Sequence, residues 1–173
     1  MSAPVIPGVV NPATPRDFLE VMTRAVFQAG VSWKQIAERW DAYREAFAQF
    51  DPAQVARYDD LDVERVLATP GVMRTPRKVR ATIANARTLL EVDREFGGIA
   101  AYLRGFSSYP ELAQDFRRRF AFMGEMNVWY VLFRTGNPVP RFEPWVRGIK
   151  GEHPRMREMV ELARTDGNSP ERE

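Results

Sequence analysis

The chain has 173 residues, 45% of them hydrophobic, with 25 lysines and arginines against 23 aspartates and glutamates. That is enough to bury one core, in a single domain. With no cysteine and one histidine, His153, the chain cannot form disulfides, thiolate metal sites, cysteine nucleophiles or a centre of several imidazoles. A metal would need carboxylates alone, and no such cluster is evident, so neither metal nor cofactor is expected. There is no uninterrupted apolar run of about 18 residues, and residues 1–14 carry prolines without a basic-then-apolar pattern. The expectation is a soluble, cytoplasmic, monomeric protein with no membrane contact.

Along the chain, helix follows helix. Thr14-Pro15 with Asp17 reads as a capped start, and Phe18, Val21, Met22, Ala25 and Ala29 follow at helical spacing until Gly30 stops the run. Ser32 caps a second helix striped by Trp33, Ile36, Ala37, Trp40, Tyr43 and Phe47, and Asp51-Pro52 opens a third. Leu61, Val63, Val66 and Leu67 predict a short helix, Pro70-Gly71 a turn, and Val79, Ile83, Ala86 and Leu90 the stripe of the next helix. Together these make a helix-hairpin-helix at about residues 61–90. Further helices are predicted at 99–103, 110–119, 124–133 and 153–164, with an extended loop at 137–144 and a frayed tail at 165–173. The fold class is all-α, in one domain.

Residues 65–90 hold Arg65, Arg74, Arg77, Lys78, Arg80 and Arg87 and no acid. On a nearly neutral chain this local segregation of charge points to a polyanion at one face. Thr75 before Pro76 gives an N-cap with proline at the first helical position, so backbone N–H groups face the hairpin beside Arg77 and Lys78, an arrangement that binds phosphate. The same pattern also fits a plain turn between helices with a solvated charged face.

The segments Phe18-Leu-Glu, Gln28-Ala-Gly-Val-Ser-Trp33, Phe50-Asp-Pro, Asp62-Val-Glu-Arg, Gly71-Val-Met-Arg74, Lys78-Val, Asn85-Ala-Arg87 and Phe122-Met-Gly124, in that order over residues 12–140, resemble the 3-methyladenine DNA glycosylase I family. That family belongs to the helix-hairpin-helix glycosylases. The resemblance implies an all-helical fold, double-stranded DNA carrying alkylated bases as partner, a base flipped from the duplex, and hydrolysis of its glycosidic bond. It further implies Trp33 as the base-stacking residue and Gly30-Val31 as the segment filling the gap left by the flipped base. With the charge and hairpin pattern above, Gly71, Arg74, Thr75, Arg77, Lys78 and Arg80 are the expected DNA contacts of the hairpin. Trp33 equally fits the apolar stripe, and Gly30 equally fits a helix stop. Trp129 and Tyr130 on the apolar helix at 124–133 are candidates for the pocket wall, with core packing as the alternative.

A purine methylated at N3 is cationic, so its bond is weak and little general acid is needed; the site must stack the base and ideally offer a carboxylate. The family's pocket glutamate lies eight residues before the tryptophan, where this chain has Ala25. The family's aromatic N-terminal segment and its zinc-binding cysteines and histidines are absent too. Glu20 is about 140° around the helix from Ala25, turned from the pocket. Glu125, directly after Phe122-Met-Gly124, is the candidate catalytic acid, unless it merely answers the dipole of the helix it begins. Arg117, Arg118 and Arg119 would extend the DNA face, unless they form a solvated helix end. The bifunctional enzymes' lysine position is Thr75 here, which argues against a lyase. The reading is a monofunctional N-glycosylase; the alternative is a homologue that kept DNA binding and lost catalysis with Ala25.

Overall fold

A computed structural model describes residues 9–10 and 13–149. The helix expected at 153–164 and the tail at 165–173 lie outside the described residues, as does His153. The elements are α1 (Pro15–Gln28), α2 (Trp33–Glu38), α3 (Trp40–Ala46), a 3-10 turn (Ala48–Phe50), α4 (Pro52–Val55), α5 (Asp60–Ala68), α6 (Pro76–Phe96), α7 (Ile99–Arg104), α8 (Tyr109–Arg119), α9 (Glu125–Arg134) and α10 (Phe142–Arg147). Among the described residues there is no strand.

Helix α1 is the axis of the molecule. It starts on a capping box in which the Asp17 carboxylate accepts from Thr14 N (2.8 Å) and Thr14 Oγ1 accepts from Asp17 N (3.2 Å). From Phe18 to Gln28 every residue but Glu20 is buried, as expected for a helix enclosed on all sides. Helices α6 and α9 pack along it, and the α2–α3 segment closes a third side. An enclosed helix should be apolar all round, yet α1 buries Arg24 and Gln28.

The single helix predicted over Trp33 to Phe47 breaks at Arg39 (φ −112°, ψ 11°). The break lets its two halves face different partners. Trp33 meets Tyr130 of α9 edge-on at 5.5 Å, while Trp40 stacks with Tyr43 (5.0 Å) and Phe50 (5.4 Å) against α1. One unbroken helix could not place both rings this way.

The helix-hairpin-helix forms as expected, with two shifts in register. Leu61 is 73% exposed, so α5 packs through Val63 and Val66, and Leu89 rather than Leu90 continues the stripe of α6. The predicted loop at 137–144 runs into α10, because Pro144 sits in the first turn, where its missing N–H costs nothing.

Asn85 of α6 fixes the loop that leads to α9. Its Oδ1 accepts from Ala121 N (2.7 Å) and its Nδ2 donates to Ala121 O (3.2 Å). The next residue, Phe122, has φ +57°, and its carbonyl accepts from Asn127 Nδ2 at 2.7 Å. The amide pair thus sets where α9 begins relative to the hairpin. Asn85→Ala leaves both Ala121 groups without partners and is expected to destabilise the fold by about 1–3 kcal/mol. A lower urea midpoint at unchanged m-value checks this.

Candidate active site and nucleic-acid interface

The hairpin is built close to α3. Gly71 has φ +92°, and a Cβ there would stand 3.0 Å from Ala42 Cβ, so both conformation and space require glycine. Tyr43 Oη accepts from Met73 N at 3.0 Å, anchoring the turn from below. Thr75 holds the N-cap position of α6 without a side-chain cap bond, and Pro76 is at N1.

Of the six bases in the acid-free stretch, three serve the fold. Arg65 donates to Ala46 O (3.3 Å) and Asp62 (3.3 Å), and Arg87 donates to Ala56 O (2.9 Å) and Tyr58 O (3.2 Å). Lys78 corrects the expectation of a phosphate contact. It is buried, and its Nζ donates to Phe27 O (3.2 Å) and Ala29 O (3.0 Å), the C-terminal carbonyls of α1. A cation at that end is favoured by the helix dipole, and burial lowers its pKa from the ordinary lysine value. Arg80 is exposed beside Asp60 at 3.0 Å. Arg74 and Arg77 are exposed at the start of α6, with the Arg77 guanidinium 5.1 Å from the Phe122 ring centroid. Neither is ion-paired among the described residues. The cationic face is therefore narrower than the sequence suggests.

Behind the hairpin, α1 ends and the chain turns through Gly30, exposed at φ +74°, and partly buried Val31 into Trp33. Trp33 is partly buried, so its ring is neither sealed in the core nor fully in solvent. Its partner Tyr130 is buried, and Tyr130 Oη lies 3.0 Å from Arg134 Nη1, which donates to it. Opposite, on α1, Arg24 lies 4.6 Å from the Trp40 ring centroid. Its pKa is lowered by burial first, with Arg134 and Arg44 adding to that and Tyr130 and Glu20 opposing it. Arg24 Nε, Gln28 Oε1 and Gln28 Nε2 are buried with no hydrogen-bond partner. Arg24 and Gln28, four residues apart, share one face of α1. Sequence reasoning assigns no role to Arg24 or Arg134, and Gln28 enters only as the first residue of the Gln28–Trp33 segment. The available signal was a charge beside Ala25 inside an otherwise apolar run.

Glu20 and Glu125 lie in two different settings, and the cavity that Glu20 lines includes neither Ala25 nor Trp33. Glu20 lines a cavity of about 260 Å³ together with Arg24, Arg44, Arg134 and Trp40. It accepts there from Trp40 Nε1 and Arg44 Nε, both at 2.9 Å. Glu125 is exposed in the first turn of α9, 3.4 Å from Arg117, and about 140° around that helix from Tyr130. The contact shown for the expected catalytic acid is thus the Arg117 ion pair at an exposed helix start, and none with Trp33 is shown. Trp129 is fully buried among Phe133, Phe142 and Trp145, its Nε1 donating to Pro140 O at 3.0 Å. It belongs to the core and not to a pocket. Arg118 and Arg119 pair with Asp115, and Arg119 also with Glu95 at 3.2 Å, so neither these two nor Arg117, paired with Glu125, adds an unpaired charge to the surface.

The zinc implied by the resemblance does not fit this chain. It has no cysteine, and among the described residues no three histidines or acids gather to hold a metal.

A hairpin anchored on α3, a left-handed glycine leading into Trp33, and α1 running behind both coincide with a match over residues 9–130 to the family model described as methyladenine glycosylase. The chain belongs to the methyladenine glycosylase family. It is 34% identical over 88 residues to DNA-3-methyladenine glycosylase 1 of Escherichia coli (strain K12), covering 50% of this chain and 47% of that protein. It is 30% identical over 88 residues to the DNA-3-methyladenine glycosylase of Haemophilus influenzae, covering 51% and 48%. The chain thus spans about half the length of these relatives. A crystal structure of 3-methyladenine DNA glycosylase I superposes with TM-score 0.62 at 28% identity, over 75% of this chain and 82% of that one. The Staphylococcus aureus structure on 3-methyladenine recognition gives 0.65 at 22% identity, over 75% and 80%, a likeness of fold. Among the described residues no helix is long and apolar enough to cross a membrane.

The bond from Lys78 to α1 makes a testable distinction. Lys78→Met removes the donor to two helix-end carbonyls and is expected to cost about 1–3 kcal/mol of stability. The variant's DNA affinity, measured well below its melting temperature, should keep the wild-type salt dependence.

Proposed function

We propose that this protein is a monofunctional DNA N-glycosylase that flips a damaged purine out of duplex DNA and hydrolyses its N-glycosidic bond, with alkylated purines of the 3-methyladenine type as the starting substrate class. It works as a monomer, without cofactor, on double-stranded DNA in the cytoplasm. The observation that carries this reading is Trp33, partly buried and held edge-on by Tyr130 directly after the Gly30–Val31 turn, within a chain of this family. A mere DNA binder needs the hairpin alone.

The chemistry follows from the residues at hand. Arg74, Arg77 and the N–H groups at the start of α6 receive backbone phosphate. Gly30 and Val31 enter the space vacated by the base, and Trp33 stacks on the base itself. Hydrolysis rather than lyase chemistry is supported by Thr75 at the bifunctional enzymes' lysine position and by the two lysines among the described residues. Lys34 is exposed on α2 beside Glu38 at 3.8 Å, and Lys78 is consumed by α1. Glu125 pairs with Arg117 at the rim, and catalysis does not depend on it.

The test is release of free bases from methylated duplex DNA, resolved by chromatography. Trp33→Ala should lower release roughly 5- to 150-fold, the worth of about 1–3 kcal/mol of base stacking, while Glu125→Gln stays near wild type. Absence of release from the intact protein, with DNA binding retained, would replace this reading by that of a DNA-binding homologue. Arg77→Ala should weaken duplex binding at every sequence and reduce the slope of log K against log salt by about 1.

A further inference from the structure

The corner between α8 and α9 leans on the helix that the hairpin launches. Arg77 and Asn85 lie on one ridge of α6, and both reach the same two residues of that corner. Asn85 holds both backbone groups of Ala121, and the Arg77 guanidinium stands 5.1 Å from the Phe122 ring centroid. Phe122 has φ +57°, a left-handed conformation disfavoured for a bulky side chain. Its carbonyl accepts from Asn127 Nδ2 at 2.7 Å, so the corner is gripped from α6 on one side and from α9 on the other. Met123, the next residue, is buried, whereas Phe122 is only partly so. Backbone strain that neighbours hold in place points to function, and the ring set by this strained residue lies against an exposed cation.

What the ring does for Arg77 follows from the other cations nearby. Arg80 is paired with Asp60 at 3.0 Å, and that carboxylate competes with phosphate. Arg74 is exposed and makes no hydrogen bond, ion pair or ring contact among the described residues, so it loses its full side-chain freedom when it binds. Arg77 has neither handicap. The π face attracts the guanidinium and occupies none of its N–H donors, so all five remain for phosphate oxygen. Part of the ordering is complete before DNA arrives, and preorganised groups bind more tightly.

We infer that Phe122, held in its left-handed corner by Asn85 and Asn127, is a positioning residue that presents Arg77 to the phosphate backbone of DNA. The DNA-binding unit is then the hairpin together with the corner before α9. This rests on the proposed function only in taking duplex DNA as the partner.

The experiment is a double-mutant cycle, read by fluorescence anisotropy on an undamaged duplex at low salt and well below each variant's melting temperature. It uses Phe122→Leu, Arg77→Ala and the two combined. Leucine keeps an apolar side chain and the same backbone demand, and loses the π face. Phe122→Leu should weaken binding about 2- to 5-fold, the scale of one exposed cation–π contact, and should add nothing once Arg77 is alanine. Phe122→Tyr, which keeps the face, should bind like the intact protein. On methylated duplex, Phe122→Leu should raise KM for base release and leave kcat unchanged, because the contact is the same in ground and transition states. Equal weakening by Phe122→Leu with and without Arg77, or none at all, would overturn the inference. Coupled binding without base release would leave the inference standing and remove the glycosylase reading; base release with uncoupled binding would do the reverse.

Discussion

The clasp of Lys78 on the last carbonyls of α1 is the contact on which the rest of the structure depends. Lys78 belongs to the first turn of α6, the helix that the hairpin launches, and its two acceptors, Phe27 and Ala29, flank Gln28 and precede the Gly30 turn. One side chain therefore fixes the distance between the N-terminal end of α6 and the corner that leads into Trp33. A buried ammonium loses its hydration and must be repaid by good acceptors, and the end of a helix supplies two with the right dipole. The same bonds take Lys78 from the surface, where Arg74 and Arg77 remain exposed.

Around that clasp the molecule separates two kinds of cation. Those at the hairpin and α6 are exposed and act through long-range, salt-sensitive attraction. Arg24 and Arg134 are enclosed, so their fields are screened far less.

The fold was legible in the sequence because its signals are local. Thr14 to Asp17, Asp51-Pro52, Pro76 and the glycines at 30, 71 and 97 set helix ends by capping and backbone conformation, which neighbours do not change. What was not legible depended on distant partners. Lys78 looks like any exposed base next to Arg77, and only the arrival of α1 turns it inward. Trp129 and Tyr130 are adjacent on one helix, yet one packs on Trp145 and the other on Trp33. Glu125 has the spacing of a pocket residue, but its helix turns it to Arg117. The break at Arg39 obeys a tertiary demand, two tryptophans needing opposite partners, that no periodicity in the chain records.

The central proposal is that a flipped base stacks on Trp33, at the corner that follows α1. A crystal structure of the protein on a duplex whose damaged nucleotide carries a 2′-fluoro substituent, which slows hydrolysis of the glycosidic bond, tests it most directly. The account predicts the flipped base against the Trp33 ring, with Gly30 and Val31 in the gap it leaves and Arg77 on backbone phosphate. A base lodged elsewhere, or left in the duplex with Trp33 uncovered, would contradict it.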